Sequence, residues 1–404
     1  DLHPRGDWVV ASNGNATQLS FWPLHKTLPA VVTGYDTFAR RPVVFTPDSQ
    51  WLVTYWGQDK VRLWPLPGTG SREIRELEIG REGSRTQLSI DPAGERLFIG
   101  GYGSDLVVLP LDGGEPRYLE GFLPRTLVEH GAFSPSGRYL AAAPLVGPED
   151  RKLRIWDLQT GESRAFDVPL LSSQSQAEGD QPSGEERAEY IVGRVAFGDE
   201  STLYSAGPNG VLRWDLEEGT WDAFRIPGPG KGIDEGYLWM SGDRRQMLDR
   251  FASLDGRSMV PMLLHDLETG ESRVVEPPDD CGGWWVETDA TMSTIVAARP
   301  DGLICVSRLG AREPHLLSGH DGLIDGLAIS PDCQWIASTA TDNTLRLWPM
   351  PDLDKPPLHT LPRDELIARL QSLTNLRAVR DEASSTGWSI DIGPFPGWAE
   401  VPEW

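Results

Sequence analysis

One turn-and-strand pattern returns along the chain at a nearly constant step, and this period limits the possible folds more than any other feature. A turn falls at Pro4, Pro47, Pro92, Pro135, Gly198, Gly242, Ala290 and Pro331, and every step but one spans 41 to 48 residues. Each turn separates two short apolar runs, and a third run follows. The third runs end at Phe21-Trp22-Pro23, Leu63-Trp64-Pro65, Val108-Leu109-Pro110, Ile155-Trp156-Asp157, Arg213-Trp214-Asp215, Leu264-His265-Asp266, Val306-Ser307-Arg308 and Leu347-Trp348-Pro349. β-Rich runs spaced by turn residues read as antiparallel meanders. A single unit of this size cannot bury both faces of its sheet, so it has to stack on copies of itself.

The best-formed unit is residues 319–349. Gly319-His320 opens it, Ser330-Pro331-Asp332 turns it, Asp342 precedes its third strand and Trp348 ends that strand. The unit resembles the WD40 repeat. The resemblance implies a β-propeller, and in this unit a buried hydrogen-bonded tetrad of His320, Ser338, Asp342 and Trp348. Eight recurrences predict an eight-bladed, all-β ring; seven blades plus a leftover partial repeat at 1–34 is the alternative. At the ends of the third runs Trp-Asp stands only at Trp156-Asp157 and Trp214-Asp215, and Gly-His occurs once in the sequence. The full tetrad is therefore expected in one blade.

The repeat region is expected to span 1–362. It opens on Asp1-Leu2-His3-Pro4, which aligns with Ala328-Ile329-Ser330-Pro331, inside a first strand. The chain therefore reads as the C-terminal part of a longer polypeptide, with an N-terminal segment of the same precursor completing the first blade. Residues 170–189, polar and rich in Ser, Gln and Glu, read as an inserted loop. Pro357–Leu361 is expected to finish the last blade. Residues 363–404 form a tail packed on the propeller: an amphipathic helix over Arg363–Leu373, a hairpin of Leu376–Val379 with Trp388–Ile392, and a Pro/Trp-rich end. Leu373-Thr374-Asn375-Leu376-Arg377 and Ile392-Gly393-Pro394-Phe395-Pro396-Gly397-Trp398 look like the end of large bacterial WD40-repeat proteins, many of them similar to serine/threonine kinases. No kinase motif is present in this sequence.

A formal charge of −23 argues against nucleic acid as partner, because a phosphate backbone needs clustered cations. No run approaches the length of a membrane-spanning helix, and a cytoplasmic location is expected. Cys281, Cys305 and Cys333 lack metal-ligand spacing and read as reduced thiols. The seven histidines show no His-x-His or His-Glu-x-x-His spacing, and no Gly-x-Ser-x-Gly elbow occurs, so neither a metal nor a cofactor nor a catalytic residue is assigned. Gly100-Gly101-Tyr102-Gly103 reads as a turn between strands. The sequence points to a non-catalytic protein-interaction or sensing module of a larger bacterial signalling protein that takes a protein or peptide ligand. Trp56, Tyr102, Trp284 and Trp285 fall outside the repeat pattern, in loops that open on one rim, and are the candidate contact residues. The rivals are a lactonase-like propeller hydrolase and a constitutive structural subunit.

Overall fold

In the computed structural model the recurring unit becomes a four-stranded antiparallel sheet. The structure describes residues 8–12, 19–23, 31–33, 42–57, 59–67, 73–80, 85–102, 106–123, 126–128, 130–144, 152–169, 194–207, 210–225, 235–252, 259–276, 281, 285–366, 376–380 and 388–392. Blade I contains Val43–Phe45, Trp51–Trp56, Lys60–Pro65 and Arg75–Glu78. Blade II contains Arg85–Ile90, Arg96–Tyr102, Leu106–Pro110 and Arg117–Leu119. Blade III contains His130–Phe133, Tyr139–Ala143, Lys152–Asp157 and Ser163–Asp167. Blade IV contains Arg194–Phe197, Thr202–Gly207, Gly210–Asp215 and Thr220–Arg225. Blade V contains Glu235–Met240, Gln246–Ala252, Met259–Asp266 and Ser272–Val275. Blade VI contains Trp285–Thr288, Thr294–Ala298, Ile304–Arg308 and His315–Leu317. Blade VII takes Ile324–Ile329, Trp335–Ala340 and Thr344–Pro349 from the end of the repeat region, and its outer strand, Val31–Thr33, from near the beginning of the chain.

The ring therefore has seven blades among the described residues, and the expectation of eight is corrected. Residues 31–33, which the sequence reading left within a first, partial repeat at 1–34, pair instead with blade VII: Val31 with Arg346, Val32 with Leu345 and Thr33 with Thr344. The strand supplies partners for a third strand whose edge would otherwise be unpaired. Leu358–Thr360, expected to be that strand, is a 3-10 turn. Among the described residues Trp8–Ser12 and Leu19–Pro23 pair with each other and with no blade. Residues 363–366 begin the expected helix, and Leu376–Arg380 pairs with Trp388–Ile392 as the expected hairpin. Residues 170–189 lie outside the described residues.

The first turn of each blade shows why the sequence landmarks recur. In six of the seven blades the residue before the landmark caps the strand that follows, through a backbone N–H five positions on; in blade IV Phe197 holds that place and Asp199 accepts from the Ser201 and Thr202 N–H groups instead. Thr46 accepts from Trp51 at 3.0 Å, Asp91 from Arg96 at 2.9 Å and Ser134 from Tyr139 at 3.1 Å. Ser241, Asp289 and Ser330 repeat the bond with Gln246, Thr294 and Trp335. Three residues after each cap the backbone turns left-handed, at Ser49, Gly94, Gly137, Arg244, Met292 and Cys333. Gly100 serves a different purpose. It lies within a strand, and a Cβ there would sit 2.7 Å from the Val128 carbonyl, so glycine is what lets the short strand Leu127–Val128 approach. The turn read from sequence at Gly100–Tyr102 is corrected accordingly.

Each gap between neighbouring blades holds its own apolar cluster. Leu63, Leu97 and Leu109 fill the I–II seam, Phe98, Phe133 and Trp156 the II–III seam, and Ile155, Phe197 and Trp214 the III–IV seam. Val43, Phe45, Trp64, Ala337 and Leu345 join blade VII to blade I and close the ring. Cys281 and Cys305 are disulfide-bonded and buried within the V–VI cluster, which corrects their reading as free thiols; Cys333 is free.

Candidate functional site

Strands within a blade alternate in direction. The loops after each second strand therefore open on the same face of the disc as the connections entering each inner strand. On this rim blade VII is pinned by side chains. His320, in the entering connection, lies 3.0 Å from Asp342 through Nδ1 and 2.7 Å from the Ser338 hydroxyl through Nε2. Trp348 donates its indole N–H to the same hydroxyl at 2.8 Å. The directions follow from chemistry. The Asp342 carboxylate can only accept, so Nδ1 carries the proton, Nε2 accepts from Ser338, and Ser338 accepts from Trp348. Burial lowers the pKa of His320 and keeps the ring neutral, as this chain of bonds requires. Asp342 also accepts from the Asp321 and Thr344 backbone N–H groups, and its pKa is held well below the usual carboxylate range. The structure thus brings together the four residues that the resemblance implied.

Two of the four candidate rim aromatics, Trp56 and Trp285, lie on either side of this blade. Trp56 is the last residue of its strand, not a loop residue, and packs at the VII–I seam. Its ring lies 5.9 Å from Trp64, and the Arg62 guanidinium covers it at 3.7 Å. Trp285 begins the inner strand of blade VI and packs at the VI–VII seam. Tyr102 ends a strand of blade II. Trp284 lies outside the described residues, as does the Tyr102 side chain.

Sequence reading missed a second polar cluster, on the inner strands of blades IV to VI. Arg194 pairs with Glu287 at 3.2 Å, past the inner strand of blade V. Trp239 donates to the other Glu287 oxygen at 3.1 Å, and Arg194 lies 5.1 Å from the Trp239 ring centroid. His130, on the inner strand of blade III, accepts from the Val195 N–H; burial, then Arg194, lowers its pKa to about 3. No sequence spacing could group these residues, because each comes from a different repeat. Among the described residues no three His, Cys, Asp or Glu side chains gather as a metal site would require.

Residues 125–157 and 312–349 match the family model described as WD domain, G-beta repeat. The chain carries WD40 repeats. These stretches cover the first three strands of blade III and the tetrad unit of blade VII. The chain is similar in fold to the β-propeller domain of Cps50 (Swd1) from Myceliophteria thermophila, with a TM-score of 0.61 and 16% identity over 80% of this chain and 100% of that one. No curated protein matches the sequence. No helix among the described residues is long and apolar enough to cross a membrane.

Proposed function

We propose that this chain is a non-catalytic protein-interaction module that takes a protein or peptide on the rim around blade VII. The observation that carries the reading is the placement of Trp56 and Trp285 at the two seams flanking the tetrad blade. The tetrad holds the rim connection of blade VII rigid, and partly exposed aromatic rings beside it offer large contact area at little cost in side-chain entropy. The likeness of the tail to bacterial signalling proteins supports placing the module in such a protein. The Cys281–Cys305 disulfide is of the kind found in oxidising compartments and weighs against the cytoplasmic location expected from sequence.

Affinity capture from a bacterial lysate with the wild-type chain and the Trp56→Ala/Trp285→Ala double variant tests the reading. Loss of specific partners from a variant with an unchanged circular dichroism spectrum is expected; identical partner sets would overturn it.

A further inference from the structure

The IV–V seam departs from the other six at two neighbouring positions. The residue preceding the tryptophan slot of the third strand is aliphatic in six blades (Leu63, Val108, Ile155, Leu264, Val306 and Leu347), and each packs in the cluster facing the next blade. In blade IV that residue is Arg213, and it is exposed. The partner position on the outer strand is Arg75 in blade I, Arg117 in blade II and Arg164 in blade III. Each of these arginines crosses its seam and donates to a carbonyl of the next blade: Arg75 to Leu111 at 2.8 Å, Arg117 to Leu158 at 2.8 Å and Arg164 to Leu216 at 2.7 Å. In blade IV the position is Asp222. A carboxylate cannot donate, and both Asp222 oxygens accept from Arg213 at 2.9 and 3.1 Å, folded back on their own blade. The next carbonyl in the series, that of Leu267, therefore lacks the strap.

A cleft of ≈ 490 Å³ opens where the strap would lie. Tyr204, Trp214 and Trp221 supply aromatic walls, with Trp221 40% exposed, and Leu267 forms part of the far side. Of the three arginines in the lining, Arg213 pairs with Asp222, Arg245 pairs with Glu268, and Arg244 donates to the Phe197 carbonyl. Asp199 and Asp215 also line the cleft, and their side chains accept only backbone and hydroxyl donors among the described residues. Four carboxylates face three arginines in the lining, and Arg244 also interacts electrostatically with Asp199, so the cleft combines one carboxylate charge in excess, a backbone carbonyl and aromatic surface. The arginines of blades I and III already lie in such company, 5.7 Å from the Trp51 ring and 5.8 Å from the Phe166 ring.

We propose that the IV–V cleft binds an arginine side chain of a partner protein, seated where blades I to III place their own arginine. A guanidinium suits the site because it presents several planar donors to carbonyl and carboxylate oxygens while its face stacks on aromatic rings. The first turns and the third-to-outer hairpins that form the cleft open on the face opposite the Trp56 rim. The site therefore stands or falls separately from the rim reading.

The test is titration of the intact 15N-labelled chain with the capped peptide acetyl-Gly-Arg-Gly-amide. The probe is the Trp221 indole N–H signal, identified by its loss in Trp221→Phe. A saturable shift is expected, with at least tenfold weaker binding of the citrulline peptide, which is isosteric but uncharged, and no saturable shift with the glutamate peptide. Asp222→Arg supplies the strap in cis and is expected to abolish the response while raising the melting temperature. Should that variant fail to fold, Tyr204→Ala, which removes one wall, is expected to weaken binding at least fivefold. The proposal is overturned by absence of a saturable shift, by equal response to citrulline, by preference for the glutamate peptide, or by wild-type binding in a folded Asp222→Arg or Tyr204→Ala variant.

Discussion

At the residue scale, the end of each third strand shows one structural problem solved in several ways. A tryptophan there buries a large ring and must place its indole N–H. Trp64, Trp214 and Trp348 donate to Thr54, Ser205 and Ser338, each two residues beyond the cross-strand partner, at 2.9, 2.8 and 2.8 Å. Blade III has Ala142 at that position, and Trp156 donates to the Glu120 carbonyl instead. Blade V replaces the pair by His265 and Asp249, and Arg225 of blade IV pairs with the buried Asp249. Blade II is apolar at both positions, with Leu109 and Ile99. Among the described residues only blade VII extends a tryptophan–hydroxyl pair to a histidine and an aspartate. Asp342→Ala strands the buried His320 N–H and is expected to cost about 1–3 kcal/mol. Asp59→Ala, in the corresponding turn of blade I, should cost much less; equal losses of thermal stability would contradict the distinct role of the tetrad. The histidines also set a pH dependence. Burial lowers His130 to about 3, and burial with Arg225 nearby lowers His265 to about 4. Between pH 6.5 and 4 the unfolded chain takes up protons that these folded side chains refuse. Stability is therefore fully present above the unfolded value and falls as pH drops, by about 1.4 kcal/mol per pH unit for each proton withheld. Melts from pH 7.5 to 4.5 should show this fall, and His265→Gln should make it shallower.

At the scale of elements, the strand Val31–Thr33 has a role out of proportion to its three residues, because it joins the first part of the repeat region to the last. A chain starting after Thr33 leaves the third strand of blade VII, Thr344–Pro349, with an unpaired edge. Such a chain should melt lower and aggregate on heating, whereas one lacking only residues 1–23 should melt close to the full chain. Light scattering during thermal ramps distinguishes these outcomes. The disulfide ties the approach to blade VI, at Cys281, to its third strand, at Cys305, across 24 residues. Alkylation in denaturant without reductant should label Cys333 alone, and reduction should expose all three thiols. Removal of a link of this kind costs about 2–4 kcal/mol, so Cys281→Ala should lower the melting temperature by several degrees.

At the scale of the whole molecule, the seven seams are the unit of stability, and they are not equivalent. Each blade buries one face against its predecessor and the other against its successor, so a change in one seam is felt by two blades. Six seams share an aliphatic residue just before the tryptophan slot of the third strand; the IV–V seam has Arg213 there, and beside its own apolar cluster it carries a buried Arg225–Asp249 pair and an open cleft. Breaking that pair from one side leaves an uncompensated buried charge. Asp249→Ala is therefore expected to cost more than Thr54→Ala at the matching position of blade I, and differential scanning calorimetry of the two variants measures the difference.

Local order alone was enough to make the strands and turns legible. Caps such as Ser330, left-handed positions such as Gly137 and the Asp157–Gly161 hairpin act over five residues or fewer, so their chemistry is written consecutively. The blade VII unit was legible for the same reason: His320, Ser338, Asp342 and Trp348 belong to one repeat. Blade number was not, because residues 31–33 have the same pattern whether they pair with their sequence neighbours or with residues more than three hundred positions away. Nor was the cleft, since Asp222 departs from the pattern only when set beside Arg75, Arg117 and Arg164 in register across separate blades. Sequence determined what each segment could form; packing around the ring decided which edge each strand completed and which seam was left open, because those outcomes depend on contacts between repeats that no single repeat encodes.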